Sequence, residues 1–233
     1  MTRVQDSVRS CTLCPLYRQG SPVPYGDPLN PIAVVGEMPP PGTTIPFSDS
    51  AGQMVRDIIG DATYLYLVSC GKTGSLKTPT DSEVTACRPN FAAQILEIRP
   101  KWMLLMGSSS LAVFHPDLNV STARGKPFEL TIGKEKSVVC MTTVSPLMAQ
   151  SGGMADHLRE DISRFKEMVD AENWKTFVSD TCMGCGAWAE RWTDEGIALC
   201  RDHWTSNPFV PDSLRGWVRK QNPTEETQLS FDV

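Results

Sequence analysis

"PIAVVGEMPPPGTTIPFSDSAGQMVRDIIGDATYLYLVSC", residues 31–70, is the stretch on which the fold turns. It opens on one short apolar run, PIAVVGE (31–37), and closes on another, TYLYLVSC (63–70). Both are almost continuously apolar and bounded by turn formers, as strands buried on both faces of a sheet are. Between them AGQMVRDIIG (51–60) sets Met54, Ile58 and Ile59 on one side and stops at Gly60. Strand, helix and strand in succession are the unit from which parallel sheets are built.

The same alternation continues outward. KWMLLMGSS (101–109) and SVVCMTTVS (137–145) read as two further buried strands. TPTDSEVTACRPNFAAQILEIRP (78–100) reads as a helix with Pro79 at its entry, a capping box of Thr80 and Glu83, and a stop at Pro100. Pro89 is expected to kink or divide it. MADHLREDISRFKEMV (154–169) spaces Leu158, Ile162, Phe165 and Val169 as a helix does. The expected fold is therefore a three-layer α/β/α domain over residues 1–172, with a central parallel sheet of about four strands.

After residue 178 the character changes. SDTCMGCGAWAERWTDEGIALCRDHW is dense in Cys, Trp and Gly and lacks long periodicity. It reads as a small zinc-ribbon-like module over 178–210, followed by a polar, flexible tail over 211–233.

Composition narrows the functional classes. Apolar residues make up 40% of the chain, enough for a buried core. No apolar run reaches the roughly 18–20 residues that span a bilayer. The opening MTRVQDSVRSCTLC lacks the apolar centre of a secretory signal. The expected location is the reducing cytoplasm, where eight cysteines are better read as ligands or core residues than as disulfides. A net charge of −5 argues against a broadly cationic nucleic-acid-binding surface but leaves room for a local groove.

Cys11 and Cys14 form a CxxC in a loop-like segment, Cys70 ends a strand, and Cys87 lies on the following helix. Four thiolates brought together would suit Zn²⁺ or a [4Fe–4S] cluster. Spacing alone reads Cys70 and Cys87 equally well as ordinary buried cysteines. The ordered set of CxxC, VVGE (34–37), PFSDSAGQM (46–54), Cys70-x16-Cys87-Arg88-Pro89 and IRPKWMLLMGSSS (98–110) resembles the iron–sulfur, family 4 uracil-DNA glycosylases and their relatives. The resemblance runs from about Cys11 to Val169. It implies a [4Fe–4S] cluster on Cys11, Cys14, Cys70 and Cys87 that organises loops near DNA without breaking the bond itself.

Cleaving an N-glycosidic bond passes through an oxocarbenium-like transition state. The nucleotide must be flipped out, a carboxylate or polar group must serve the water or the sugar cation, and a donor must meet the charge on the departing base. Glu37 matches the acidic position of the family's glycine–glutamate–x–proline–glycine loop, at the strand end where open α/β folds place ligands. Taken by itself it is also compatible with a solvated loop charge. Phe47 matches the aromatic that stacks on the flipped base, and Gly36 and Met38 flank Glu37 in the base-binding set.

Two positions depart from the family. Tyr66 stands where an asparagine reads the pyrimidine edge, four residues before the third cluster cysteine. Ser145 stands where a histidine serves the leaving group, ahead of Pro146, and offers a neutral hydroxyl in its place. The base-reading and leaving-group roles therefore fall to Tyr66 and Ser145. His115 reads as a surface turn residue and His157 as an exposed helix residue. Arg88 and Arg124 read either as phosphate contacts or as structural ion pairs.

Cys182, Cys185, Cys200 and His203 make a C-x2-C-x14-C-x2-H pattern, the spacing of a tetrahedral structural Zn²⁺ site. Four protein ligands would close the site and leave no catalytic water. Trp188, Trp192 and Trp204 read either as residues that stack on bases or, the expected use, as residues that pack against the preceding domain. Gln228–Phe231 (QLSF) resembles a shortened form of the peptide that docks on bacterial sliding clamps. The expected function is a DNA glycosylase acting on uracil or a modified pyrimidine, in single-stranded, duplex or modified DNA. Its rivals are a non-catalytic DNA- or protein-binding member of the superfamily and an enzyme acting on a hypermodified base.

Overall fold

Side chains along a strand point alternately to opposite faces of the sheet, and here both faces are apolar. Ala33 and Val35 enter one buried cluster and Val34 the other. Leu65 opposes Tyr64 and Tyr66, while Met103 and Leu105 oppose Trp102, Leu104 and Met106. A sheet with two apolar faces must be covered on both, which dictates three layers.

The computed structural model describes residues 2–26, 29–74, 78–132, 136–151, 153–178, 181–183, 189, 191–193 and 197–200. Helix α1 (Arg3–Arg9) precedes β1 (Ile32–Gly36), α2 (Ser50–Ile59) and β2 (Thr63–Tyr66). Helix α3 (Asp81–Ile98) leads to β3 (Trp102–Met106), then to the short helices α4 (Ser108–Ala112) and α5 (Val120–Ala123). A hairpin of β4 (Pro127–Ile132) and β5 (Lys136–Thr143) follows, then α6 (Pro146–Ser151) and α7 (Ala155–Ala171). Phe91, Ile95 and Ile98 of α3 cover one face. Val55 and Ile59 of α2, with Leu158, Ile162, Phe165 and Met168 of α7, cover the other.

The sheet order is β2-β1-β3-β5-β4. The four strands read from the sequence run parallel to one another, but the sheet has five, because β4 runs antiparallel to β5 at one edge. Strand β4 escapes a search for continuous apolar runs because it is only half covered. Phe128 and Leu130 are buried, whereas Glu129 is half-buried and Thr131 exposed. Pro127 is tolerated as the first residue of an edge strand.

Helix α3 runs through Pro89 without dividing. Proline removes one backbone donor and costs the helix locally. A capped start and a buried stripe through Cys87, Phe91, Ile95 and Ile98 hold both halves in place. At that start the Glu83 carboxylate accepts from the Thr80 N–H at 2.7 Å and from Lys72 Nζ at 2.9 Å, while Thr80 Oγ1 accepts from the Glu83 N–H. Burial pushes the Glu83 carboxyl up, but these donors outweigh it and hold it below its ordinary value. A carboxyl lowered on folding stabilises above its unfolded pKa, and that contribution is lost as pH falls through the folded value. Glu83→Gln is accordingly expected to cost about 1 kcal/mol at neutral pH. Urea unfolding at pH 7 and at successively lower pH checks this, with the gap between variant and wild type narrowing as pH falls through the folded value.

Beyond α7, β6 (Arg191–Trp192) pairs antiparallel with β7 (Ala198–Leu199). Cys182, Met183, Ile197 and Leu199 are buried in the same apolar cluster as α3. Thr122 Oγ1 donates to the Met183 carbonyl at 2.8 Å. Among the described residues no helix is long and apolar enough to cross a membrane.

Candidate active site

The carboxyl ends of β1, β2, β3 and β5 lie side by side, and a cleft of about 710 Å³, counting its open mouth, lies over the ends of β1, β2 and β5. Glu37 follows β1, Tyr66 ends β2 and Ser145 follows β5; all three line the cleft, together with Gly36, Met38 and Phe47. The six residues read from the sequence as catalytic or base-binding are thus brought together.

Glu37 is half-buried and held from the start of α4, just past β3. Its Oε1 accepts from the Ser109 N–H at 2.8 Å. The approach depends on Gly107, which sits at φ +96°, and a Cβ there would lie 2.3 Å from Glu37 Cδ. Sequence reasoning missed this pair. The signal was a glycine closing a buried strand and opening a serine-rich turn beside the strand that carries Glu37. Gly107→Ala meets both a disfavoured φ and a direct overlap, so it should displace the carboxylate and destabilise by about 1–3 kcal/mol. A fall in Tm accompanied by loss of whatever chemistry Glu37 performs would bear this out, and retention of both would contradict it.

Phe47 is buried at φ +54°, a conformation costing a non-glycine residue about 1–2 kcal/mol. Three contacts hold it. Its N–H donates to Tyr66 Oη at 3.0 Å, its carbonyl accepts from Arg56 Nε at 3.1 Å, and its backbone lies against Gly52 of α2. A Cβ on Gly52 would come within 2.5 Å of Phe47 Cα. The Tyr66 ring stacks on Phe47 with centroids 5.0 Å apart and planes 3° from parallel. Gly36 makes room for the stack, since a Cβ there would fall 2.8 Å from the Tyr66 ring and 2.9 Å from Phe47. Burial pushes the Tyr66 phenol well above its ordinary pKa, so it stays a neutral hydroxyl. One face of Phe47 is thereby occupied by the chain itself.

Ser145 is buried, and its Oγ accepts from the Met148 N–H at 3.2 Å, capping α6. A hydroxyl that accepts keeps its own proton to donate. The end of β5 is fixed from α7, where Asp161 Oδ2 accepts from the Thr143 hydroxyl at 2.6 Å and pairs with Arg124 at 3.1 Å. Arg124 also reaches Glu160, so it is an ion-pair residue, whereas Arg88 is exposed. His157 is exposed, as read. His115 is not on the surface: it is buried edge-on to Phe128 at 5.1 Å, and burial pushes its pKa down to about 4, so it stays neutral.

A second cavity lies between the N-terminal segment, the stretch after β2 and α3. Cys11, Cys14, Cys70 and Cys87 all line it, with Val68 and Ala86 between them. Strand β2 ends at Tyr66, so Cys70 lies beyond it, on a segment held where the Leu67 and Val68 N–H groups donate to the Gly36 and Glu37 carbonyls. Cys87 Sγ accepts from the Ser69 N–H at 3.4 Å. Burial pushes Cys70 up to about 12, and Cys87, Cys14 and Cys11 push the same way. Four thiolates here are compatible only with a cationic group among them. Among the described residues no three Cys, His, Asp or Glu side chains close around a single ion. A lone tetrahedral Zn²⁺ would need sulfurs about 3.8 Å apart, whereas a cluster carries its cysteines on the outside and farther apart. Four thiols lining one cavity are a donor set that suits either a single ion or a cluster.

Cys182 is buried and Cys200 half-buried. Cys185, His203 and Gln228–Phe231 lie outside the described residues, as do Trp188 and Trp204.

Residues 23–166 match the sequence model of the uracil DNA glycosylase superfamily. The chain is 27% identical over 187 residues to a type-4 uracil-DNA glycosylase of Sulfurisphaera tokodaii, covering 72% of this chain and 84% of that protein. It is 26% identical over 185 residues to a type-4 uracil-DNA glycosylase of Thermotoga maritima, covering 74% and 96%. A type-4 uracil-DNA glycosylase of Saccharolobus solfataricus is 26% identical over 187 residues, covering 72% and 86%.

Proposed function

We propose, from the premise that this chain belongs to the uracil DNA glycosylase superfamily, that it is a DNA glycosylase releasing uracil or a modified pyrimidine. The observation that carries the reading is the convergence of Glu37, Tyr66 and Ser145, from three strand ends, on one cleft.

The nucleotide is flipped into the cleft so that its sugar lies against Glu37 and its base against Phe47 and Tyr66. Glu37, fixed by the Ser109 N–H, takes a proton from water as the water oxygen bonds to the sugar C1′. The C1′–N bond breaks with its electron pair going to the pyrimidine. The carboxylate also lowers the energy of the oxocarbenium-like sugar. Ser145 Oγ–H donates toward the departing base, and the Tyr66 hydroxyl offers a single neutral donor where an amide would offer both donor and acceptor. Gly36 and Met38 shape the floor of the base site.

Cys11, Cys14, Cys70 and Cys87 would hold a [4Fe–4S] cluster, which would serve structurally by joining the N-terminal loop to the segment after β2 and to α3. Cys182, Cys185, Cys200 and His203 hold Zn²⁺ in a module over 178–210. Metal analysis should find iron and zinc together, and Cys182→Ser should lose zinc while keeping iron. Gln228–Phe231, in the tail over 211–233, is the segment for a sliding clamp; deleting it should abolish clamp capture. The enzyme works in the reducing cytoplasm.

Single- and double-stranded oligonucleotides, each carrying one uracil, thymine or 5-substituted pyrimidine, test the reading. Release of one base names the substrate. The Tyr66–Phe47 stack favours a second reading, a DNA-binding protein without hydrolysis. Retention of every base, with DNA bound and iron in place, would select it.

A further inference from the structure

Lys72 was not singled out by sequence reasoning, yet it lines the same cleft as Glu37, Tyr66 and Ser145. Its side chain is only 10% exposed, and Nζ lies 2.9 Å from Glu83 Oε2. Among the described residues lining the cleft it is the one cation, beside two acids in the lining, Glu37 and Asp49. Glu83 cannot swing away, because the same oxygen accepts from the Thr80 N–H at the start of α3. The ammonium is therefore tethered. Of its three N–H donors one goes to Glu83, which leaves two for a ligand.

The reaction leaves negative charge on the pyrimidine, and Ser145 can answer it only with a neutral hydroxyl. A fixed cation in a half-buried cleft stabilises developing charge far better than one in bulk water. We propose that Lys72 contacts the departing pyrimidine and supplies the positive charge that stabilises its anion. The inference rests on the glycosylase reading above. Lys72 reaches the cleft from the segment after β2, so the charge comes from the opposite side of the cleft to the loop that follows β5.

Lys72→Met keeps the carbon stem and removes the charge; Lys72→Gln carries the same test if the methionine variant unfolds. Uracil is a poor leaving group and 5-fluorouracil a better one. The variant should release uracil about 10²-fold more slowly and 5-fluorouracil only several-fold more slowly, with Lys72→Arg close to wild type. Equal slowing on both bases would assign Lys72 to phosphate binding or to structure and overturn the proposal, as would unchanged rates. A second readout needs no turnover. By calorimetry at neutral pH, wild type should bind free 5-nitrouracil, an anion there, about tenfold more tightly than neutral uracil, and Lys72→Met should lose that preference. If wild type releases no base from any oligonucleotide, the glycosylase reading fails and this preference alone decides: its loss in the variant upholds Lys72 as the anion contact, and its absence in wild type overturns it.

Discussion

Glu37→Gln is expected to slow base release by about 10²–10⁴-fold, the range that a positioned acid or base contributes, while leaving Tm nearly unchanged. The substitution is close to isosteric. The glutamine oxygen can still accept from the Ser109 N–H, the one hydrogen bond this side chain makes among the described residues, so the loop after β1 keeps its place. What disappears is the negative charge, which both the attacking water and the sugar cation require. The measurement is single-turnover release from the preferred oligonucleotide beside thermal unfolding of both proteins. A rate within threefold of wild type would remove Glu37 from the mechanism. Gly107→Ala supplies the contrast, since it should lose rate and stability together by moving the carboxylate.

The second large effect is expected at Cys87. Cys87→Ser should abolish the brown colour of an iron–sulfur protein and destabilise by more than about 4 kcal/mol, in the range that loss of a metal site reaches. For a chain of this size that is a fall in Tm of roughly 10 °C. Cys87 is buried at the centre of α3, beside Ser69 and the other three cysteines. Removing one ligand leaves the remaining thiols facing an enlarged cavity. Cys140→Ala is the control. Cys140 is equally buried but belongs to β5 and does not line the cavity, so its loss should leave the colour intact. A colourless wild type purified without oxygen would contradict the cluster assignment.

The parts of the fold legible in the sequence were those that a single chemical requirement dictates. Strands covered on both faces must be continuously apolar, and β1, β2, β3 and β5 were read from that alone. Strand β4 obeys a different rule, because an edge strand buries one side only and PFELTI mixes the two patterns. Pro89 was weighed by its local cost, while tertiary burial of α3 on both sides of it decided the outcome. His115 was misread for a similar reason: it packs edge-on against Phe128, which lies on the unforeseen β4.

Within the candidate site, Glu37, Phe47, Tyr66 and Ser145 were found because each falls on a motif position of the family the sequence resembles, and all but Phe47 also stand at or just past a strand end. Their relations were not legible. The Tyr66–Phe47 stack needs a missing Cβ at Gly36, another at Gly52 and a left-handed backbone at Phe47. Lys72 lies on an irregular segment, and its tether, Glu83, is 11 residues away. Neither spacing nor periodicity encodes such contacts.

The central claim is that this cleft hydrolyses a glycosidic bond. The most direct test is the intact mass of a single-stranded oligonucleotide with one target pyrimidine, followed over time with excess anaerobically purified protein. The strand should lose its base and gain water, with free base appearing in equal amount, and Glu37→Gln should leave the mass almost unchanged over the same interval. A strand of constant mass, bound by wild-type protein with its iron in place, would contradict the claim.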